Sequence, residues 1–255
     1  MEPAIRFLLA ADVLPAEPIK NYLQLTLLSF GLIALITTVW WQADRESYEE
    51  VTEDFSVTAF EKLNFWGALN VLITAGPAYT LTARGTRRAI RSLKVRQRGR
   101  WLEVGSRFLF WHRQRDLVLT VTAPSLNELD VSGACIVQMN GFRELNHLNI
   151  DITGASNVTV EGEAQAMSVD ITGASKLTLI GRGTRLTADI TGASTLYAFD
   201  YPVEDATIEV TGACTAQIHA TRVLKADATG ASQVKYQGDP SVQFDSTGAS
   251  SIKKV

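Results

Sequence analysis

The chain has 255 residues with 24 Lys+Arg against 27 Asp+Glu, a formal net charge of −3, and its composition is that of a folded protein rather than a disordered one. So even a balance excludes a general nucleic-acid binder, and two cysteines, Cys135 and Cys214, exclude a disulfide scaffold and a cysteine-based metal centre. The charge is nevertheless segregated: residues 1–54 hold 3 basic against 9 acidic residues, 84–115 hold 11 basic against the lone Glu103, and 116–255 hold 9 against 16.

Residues 1–20 read as a short cytoplasmic segment. They are followed over 21–43 by 23 uncharged residues dominated by YLQLTLLSFGLIALITTVWW. That meets the length a bilayer-spanning helix requires, about 20 apolar residues. Trp40 and Trp41 suit the interfacial belt, Arg6 and Lys20 precede the span, and an acidic linker over 44–54 follows it. A single-pass anchor with the body outside is expected. A cleaved signal peptide is the alternative, disfavoured by the length of the apolar stretch and by Trp41 near its end.

Residues 55–255 are expected to form one β domain. From 55 to 125, strand-like runs such as FEKLNFWGALNVLITAG and SLKVRQRGRWLEVG are separated by Gly or Pro, as early coils or a capping sheet would be. From 130 onward the chain repeats: DVSGAC at Asp130, DITGAS at Asp151, Asp170 and Asp189, EVTGAC at Glu209, DATGAS at Asp227 and DSTGAS at Asp245. Successive glycines are 18 to 21 residues apart, about one solenoid turn. Apolar residues alternate with period two around each motif, and no helical period interrupts them. The fold expected is therefore all-β, a right-handed parallel β-helix behind one membrane helix, because parallel crossovers are almost always right-handed.

Unbroken alternation points Ile152, Gly154, Ser156 and Val158 inward and Asp151, Thr153, Ala155 and Asn157 outward. Cys135 and Cys214 take the inward serine position in turns four apart, so both are expected as buried free thiols.

The strand pair FEKLNFWGALNVLITAG with Gly67-Ala68-Leu69-Asn70, the basic strand pair after it and VTAPSLNELDVSGAC leading into repeated S/T-G-A-S turns resemble the putative auto-transporter adhesin, head GIN domain family. The resemblance covers about residues 55–255. It implies a β-helix in the bacterial envelope with no assigned activity.

Three groups of residues are candidates for binding. The acidic column is represented by Asp151, Asp170 and Asp189; stacked carboxylates attract cations, yet the same residues suit hydrogen-bonded turns, so no metal and no cofactor are expected. Thr153, Thr172 and Thr191 form a flat, regular neighbouring column suited to a lattice, a polysaccharide or a second copy. Arg96, Arg98 and Arg100 alternate along one basic strand near the membrane and suit anionic lipid or acidic envelope glycan.

Catalytic residues are not expected, since the repeat supplies the same carboxylate in every turn and His112, His147 and His219 occupy unrelated positions. The expected function is a membrane-anchored, envelope-facing binding, adhesion or scaffolding module. Its candidate partners are a glycan, an anionic lipid, a protein or itself. A polysaccharide-active β-helix enzyme is the alternative.

Overall fold

A computed structural model describes residues 49–106 and 117–255 of the chain. The expected membrane span at 21–43 and His112 lie outside the described residues. Among the described residues, no helix is long and apolar enough to cross a membrane.

The chain runs through β1 (Glu50–Phe55), β2 (Lys62–Gly67), β3 (Asn70–Ala75), β4 (Thr80–Thr86), a single-turn helix α1 (Arg87–Arg91), β5 (Leu93–Arg98), β6 (Trp101–Ser106) and β7 (Val118–Ala123). The repeat region follows as β8 (Glu128–Gly133), β9 (Ile136–Gly154), β10 (Asn157–Gly173), β11 (Lys176–Gly192), β12 (Thr195–Gly212), β13 (Thr215–Gly230), β14 (Gln233–Gln237), β15 (Ser241–Gly248) and β16 (Ser251–Lys254). Within the acidic stretch 44–54, residues 50–54 belong to strand β1, which is paired with β4.

From β8 onward every neighbouring pair is parallel. The motifs stack in register: Asp130 on Asp151, Asp151 on Asp170, Asp170 on Asp189, and so through Glu209 and Asp227 to Asp245. The result is a β-solenoid. Ile152, Ile171, Ile190 and Val210 are buried one above another, and the alternation continues through the bend, with Ser156 and Val158 buried while Ala155 and Asn157 are exposed. The inward and outward assignment made from parity therefore holds for Ile152, Ser156 and Val158 and for Asp151, Thr153, Ala155 and Asn157, whereas Gly154, placed inward by parity, is only half-buried at the bend.

Each bend is made by a glycine with positive φ, 106° at Gly154 and at Gly173, and the amide of the next alanine donates to the glycine carbonyl one coil back, as Ala174 N does to Gly154 O at 2.8 Å. The serine two residues on closes a second bond. Ser175 Oγ donates to Gly154 O at 3.2 Å and accepts from Ser156 N–H at 3.2 Å; Ser194 Oγ repeats the arrangement with Gly173 O and Ser175 N–H. The hydroxyl thus gives a second bond to a carbonyl that the alanine amide already serves, and it accepts from a buried N–H that would otherwise be stranded. Cys135 and Cys214 occupy this column as buried free thiols, and Cys214 Sγ accepts from Ser194 N–H at 3.4 Å.

The first coil is not first in the stack. β2 pairs with β8 on one side and β6 on the other, and β3 lies likewise between β9 and β7. Coil β6–β7 is thus placed outboard of β2–β3, although it follows it in the chain. Beyond it, β5 pairs antiparallel to β6, β4 antiparallel to β7, and β1 antiparallel to β4. These strands cover an edge that would otherwise expose unpaired backbone. Helix α1 joins β4 to β5, its first turn capped by Thr86, whose hydroxyl accepts from Ala89 N–H. The segment 55–125 therefore supplies both early coils and a capping sheet.

Candidate functional site

One outer face of the solenoid gathers the chemistry. From the capped end it is built by β5, β6, β2 and β8 and then by the second half of each long strand, and its side chains alternate with the buried core residues. Leu102, Leu63, Leu129 and Ile150 point in, which leaves Trp101, Lys62, Glu128 and Glu103, Asn64, Asp130 to the outer side.

The acidic column and the threonine column both lie on this face. Asp151, Asp170 and Asp189 are adjacent in register and exposed, and Thr153, Thr172 and Thr191 stand beside them, also exposed. Thr172 and Thr191 hydroxyls reach the carboxylates of Asp170 and Asp189 at 3.5 Å, a long and weak hydrogen bond. Toward the capped end the column becomes less exposed. Burial pushes the carboxyl of Asp130 above the usual carboxylate range; Glu128 and Asp151 push the same way, against the Asn64 amide, which donates to it at 3.3 Å. Asp151 is raised as well, by burial first and then by the charges of Asp170 and Glu128.

Among the described residues, Glu128, Asp130 and Asp151 bring carboxylate oxygens within 4.8 Å of one another. Lys62 is ion-paired with Glu128 at 2.5 Å, so an ammonium and an amide already stand against this group.

The basic residues separate into two sets. Arg100 is drawn aside into an ion pair with Glu61, whereas Arg96 and Arg98 remain exposed on β5. Arg96 stands opposite Glu103 and Arg98 opposite Trp101. Together with Asn64 these five side chains line a cleft of about 470 Å³. Among the described residues Arg96 and Arg98 make no ion pair, as is also true of Arg91, Arg143 and Arg185; what sets Arg96 and Arg98 apart is that they line one cleft together. The β6 side of the cleft is held in place. The indole of Trp66 lies flat on Gly105, where a Cβ would come within 1.8 Å of the ring, and its Nε1–H donates to Glu103 at 3.0 Å. The Lys62 ammonium sits 4.9 Å above the Trp101 ring.

A second hollow of about 500 Å³ lies between Glu144, Asn146, Gln165 and Arg182; its guanidinium is already paired with Glu163 at 3.1 Å, which leaves the hollow, among the described residues, no free cation for an anion. His147 contacts Asn149 and His219 contacts the Phe199 carbonyl, so neither is set beside a carboxylate.

The sequence reading thus found Arg96 and Arg98 but not Asn64, Trp101 and Glu103, which complete their cleft. A signal for them exists. KLNFWGAL aligns with ELDVSGAC, as the register Lys62–Glu128 to Gly67–Gly133 confirms, and WLEVG aligns with KLNFW. That alignment extends the carboxylate column through Asn64 to Glu103.

A family model described as putative auto-transporter adhesin, head GIN domain, matches residues 59–240. Similar solved structures include a putative adhesin from Bacteroides fragilis NCTC 9343, with TM-score 0.76, 19% identity, and coverage of 81% of this chain and 97% of that one. A putative lipid binding protein from Parabacteroides distasonis ATCC 8503 has TM-score 0.66, 18% identity and coverage of 81% and 97%. A putative adhesin from Parabacteroides merdae ATCC 43184 has TM-score 0.64, 18% identity and coverage of 81% and 96%. At these identities the likeness concerns the fold. No curated protein matches the chain.

Proposed function

Since the chain belongs to the putative auto-transporter adhesin, head GIN domain family, we propose that it is a binding module of the bacterial envelope that holds an anionic envelope component at the Arg96–Arg98 cleft. The observation that carries this reading is the pair of exposed guanidinium groups, without ion pairs among the described residues, that line one cleft together with an indole and an amide. Two guanidinium groups lining one concavity present planar forks of N–H donors that match a carboxylate or phosphate from outside. The β-helix is right-handed and is carried by a single membrane helix at 21–43, with residues 1–20 in the cytoplasm. The uncharged span and its flanking charges support that placement. Binding proceeds without turnover, in keeping with relatives named as adhesins and as a lipid binding protein.

Two measurements test the proposal. A periplasm-dependent reporter is expected to be active when fused after residue 56 and silent when fused before residue 20; the reverse result removes the envelope from the reading. Retention of the full chain on anionic envelope polymer is expected to fall with added salt and with the Arg96→Gln/Arg98→Gln double variant. Retention indifferent to both would sink the cleft as the site.

A further inference from the structure

We infer that the anion held between Arg96 and Arg98 is the carboxylate of an acidic sugar residue in a glycan chain, with Trp101, Asn64 and Glu103 engaging the rest of that residue. The inference rests on the proposed cleft and narrows its ligand to one class. Three observations distinguish a glycan from a lipid surface or a bare anion.

First, the cleft is mixed in chemistry. Beside the two guanidinium groups it offers an indole, a primary amide and a carboxylate, Trp101, Asn64 and Glu103. A carboxylate in an anion site costs affinity for any anion, more for phosphate with its greater charge than for a carboxylate, yet it accepts hydrogen bonds from hydroxyls, as the amide both accepts and donates them. A sugar acid needs this combination: one charged group, several hydroxyls in a ring, and an apolar ring face to set against an indole.

Second, Glu103 Oε1 accepts from Trp66 Nε1–H at 3.0 Å, which holds the carboxylate in place. The Lys62 ammonium, ion-paired with Glu128, covers the Trp101 ring on the side away from β5 and helps to hold it. Glu103 and Trp101 are therefore positioned before any ligand arrives, which lowers their ordering cost, while Arg96 and Arg98 are ordered on binding.

Third, the charge changes sign within a short distance. From β5 across β6 and β2 to β8 there are three strand steps, about 14 Å at ~4.8 Å each, and there Asp130 begins the stacked carboxylates. The screening length at physiological salt is about 8 Å. A flat anionic bilayer laid against this face would meet the acidic column together with the arginines, and attraction at one end would be offset along the rest. A single sugar residue reaches only the cleft, and the neutral hydroxyls of a glycan chain can continue past the exposed Thr153 and Thr172 without that penalty.

Calorimetric titration of the full chain in phosphatidylcholine nanodiscs tests the assignment with three titrants: a short oligouronate, the same oligosaccharide with its carboxyl groups reduced to alcohols, and glycerol phosphate. Saturable binding of the oligouronate is expected, weaker by at least about tenfold for the reduced form and for Arg96→Gln/Arg98→Gln. Trp101→Leu is expected to weaken oligouronate binding severalfold with the salt dependence unchanged. All these side chains line the outer face, and an unchanged melting temperature serves as the control for folding. Arginine-dependent binding of glycerol phosphate at least as tight as that of the oligouronate, indifferent to Trp101→Leu, would overturn the sugar assignment while leaving an anion-binding cleft. Absence of arginine-dependent binding of every titrant would overturn both.

Discussion

At Gly173 two constraints meet on one missing atom. Its φ of 106° lies where L side chains rarely go, and a Cβ there would stand 2.4 Å from the Gly154 carbonyl oxygen. Gly173→Ala is expected to cost upward of about 3 kcal/mol, read as a lowered denaturant midpoint; a change below ~1 kcal/mol would mean that the bend relaxes freely. Ser175 two residues on is a milder case. Ser175→Ala leaves the buried Ser156 N–H without a partner, so a loss of about 1–3 kcal/mol is expected. Ser175→Cys is expected to cost less than Ser175→Ala, because Cys214 already accepts from Ser194 N–H in the same column. Equal losses would show that the hydrogen bond is not what the column supplies.

The carboxylates behave differently. Asp130 and Asp151 have folded-state pKa values raised above the 3.8 of the free side chain. The native state therefore binds protons more readily than the unfolded chain, and stability falls as pH rises through this range. Asp130→Asn/Asp151→Asn is expected to stabilise the protein at pH 7, with the gain shrinking as pH falls through the carboxylate range. A gain that grows on acidification would reverse the sign of this account.

Whole elements differ in how many neighbours they have. β10, β11 and β12 each pair along their length with a coil on both sides. Among the described residues, β15 pairs only with β13 and β16 only with β14, and their side chains are mostly exposed. In a quasi-one-dimensional stack each coil is stabilised by its neighbours, so opening should be easiest where one neighbour is lacking. Hydrogen exchange is expected to be fastest in β15 and β16 and slowest in β10 to β12. Uniform protection throughout would indicate a single cooperative unit. At the other end, the antiparallel strands β4 and β5 cover the outermost coil, and the hydrogen bonds of that coil are expected to exchange more slowly than those of β15.

Over the whole molecule, rigid stacking sets distances that no local flexibility removes. Cys135 and Cys214 share a column four coils apart, about 19 Å at ~4.8 Å per coil. A disulfide requires Cα atoms within about 7 Å. Both thiols are free and buried, and burial pushes that of Cys135 up. Neither is expected to react with a thiol reagent until the protein is denatured, when both should. Mass spectrometry that found an intramolecular bridge in the native protein would refute the stacking order itself.

The repeat was legible because its causes are local. A glycine bend every 18 to 21 residues, a serine or cysteine two positions later and strict alternation on either side each leave a mark in the sequence, and together they specify coils, inward columns and the acidic face. Other features arise from contacts between residues far apart in the chain, which leave no period to read. The placement of coil β6–β7 outboard of β2–β3 depends on pairing between strands separated by α1 and two antiparallel turns. Arg96, Arg98 and Arg100 look equivalent as alternating residues on a basic strand. Only the tertiary structure ties Arg100 to Glu61 and leaves the other two beside Asn64, Trp101 and Glu103, because the position of β2 and β6 against β5 decides which carboxylate each guanidinium can reach.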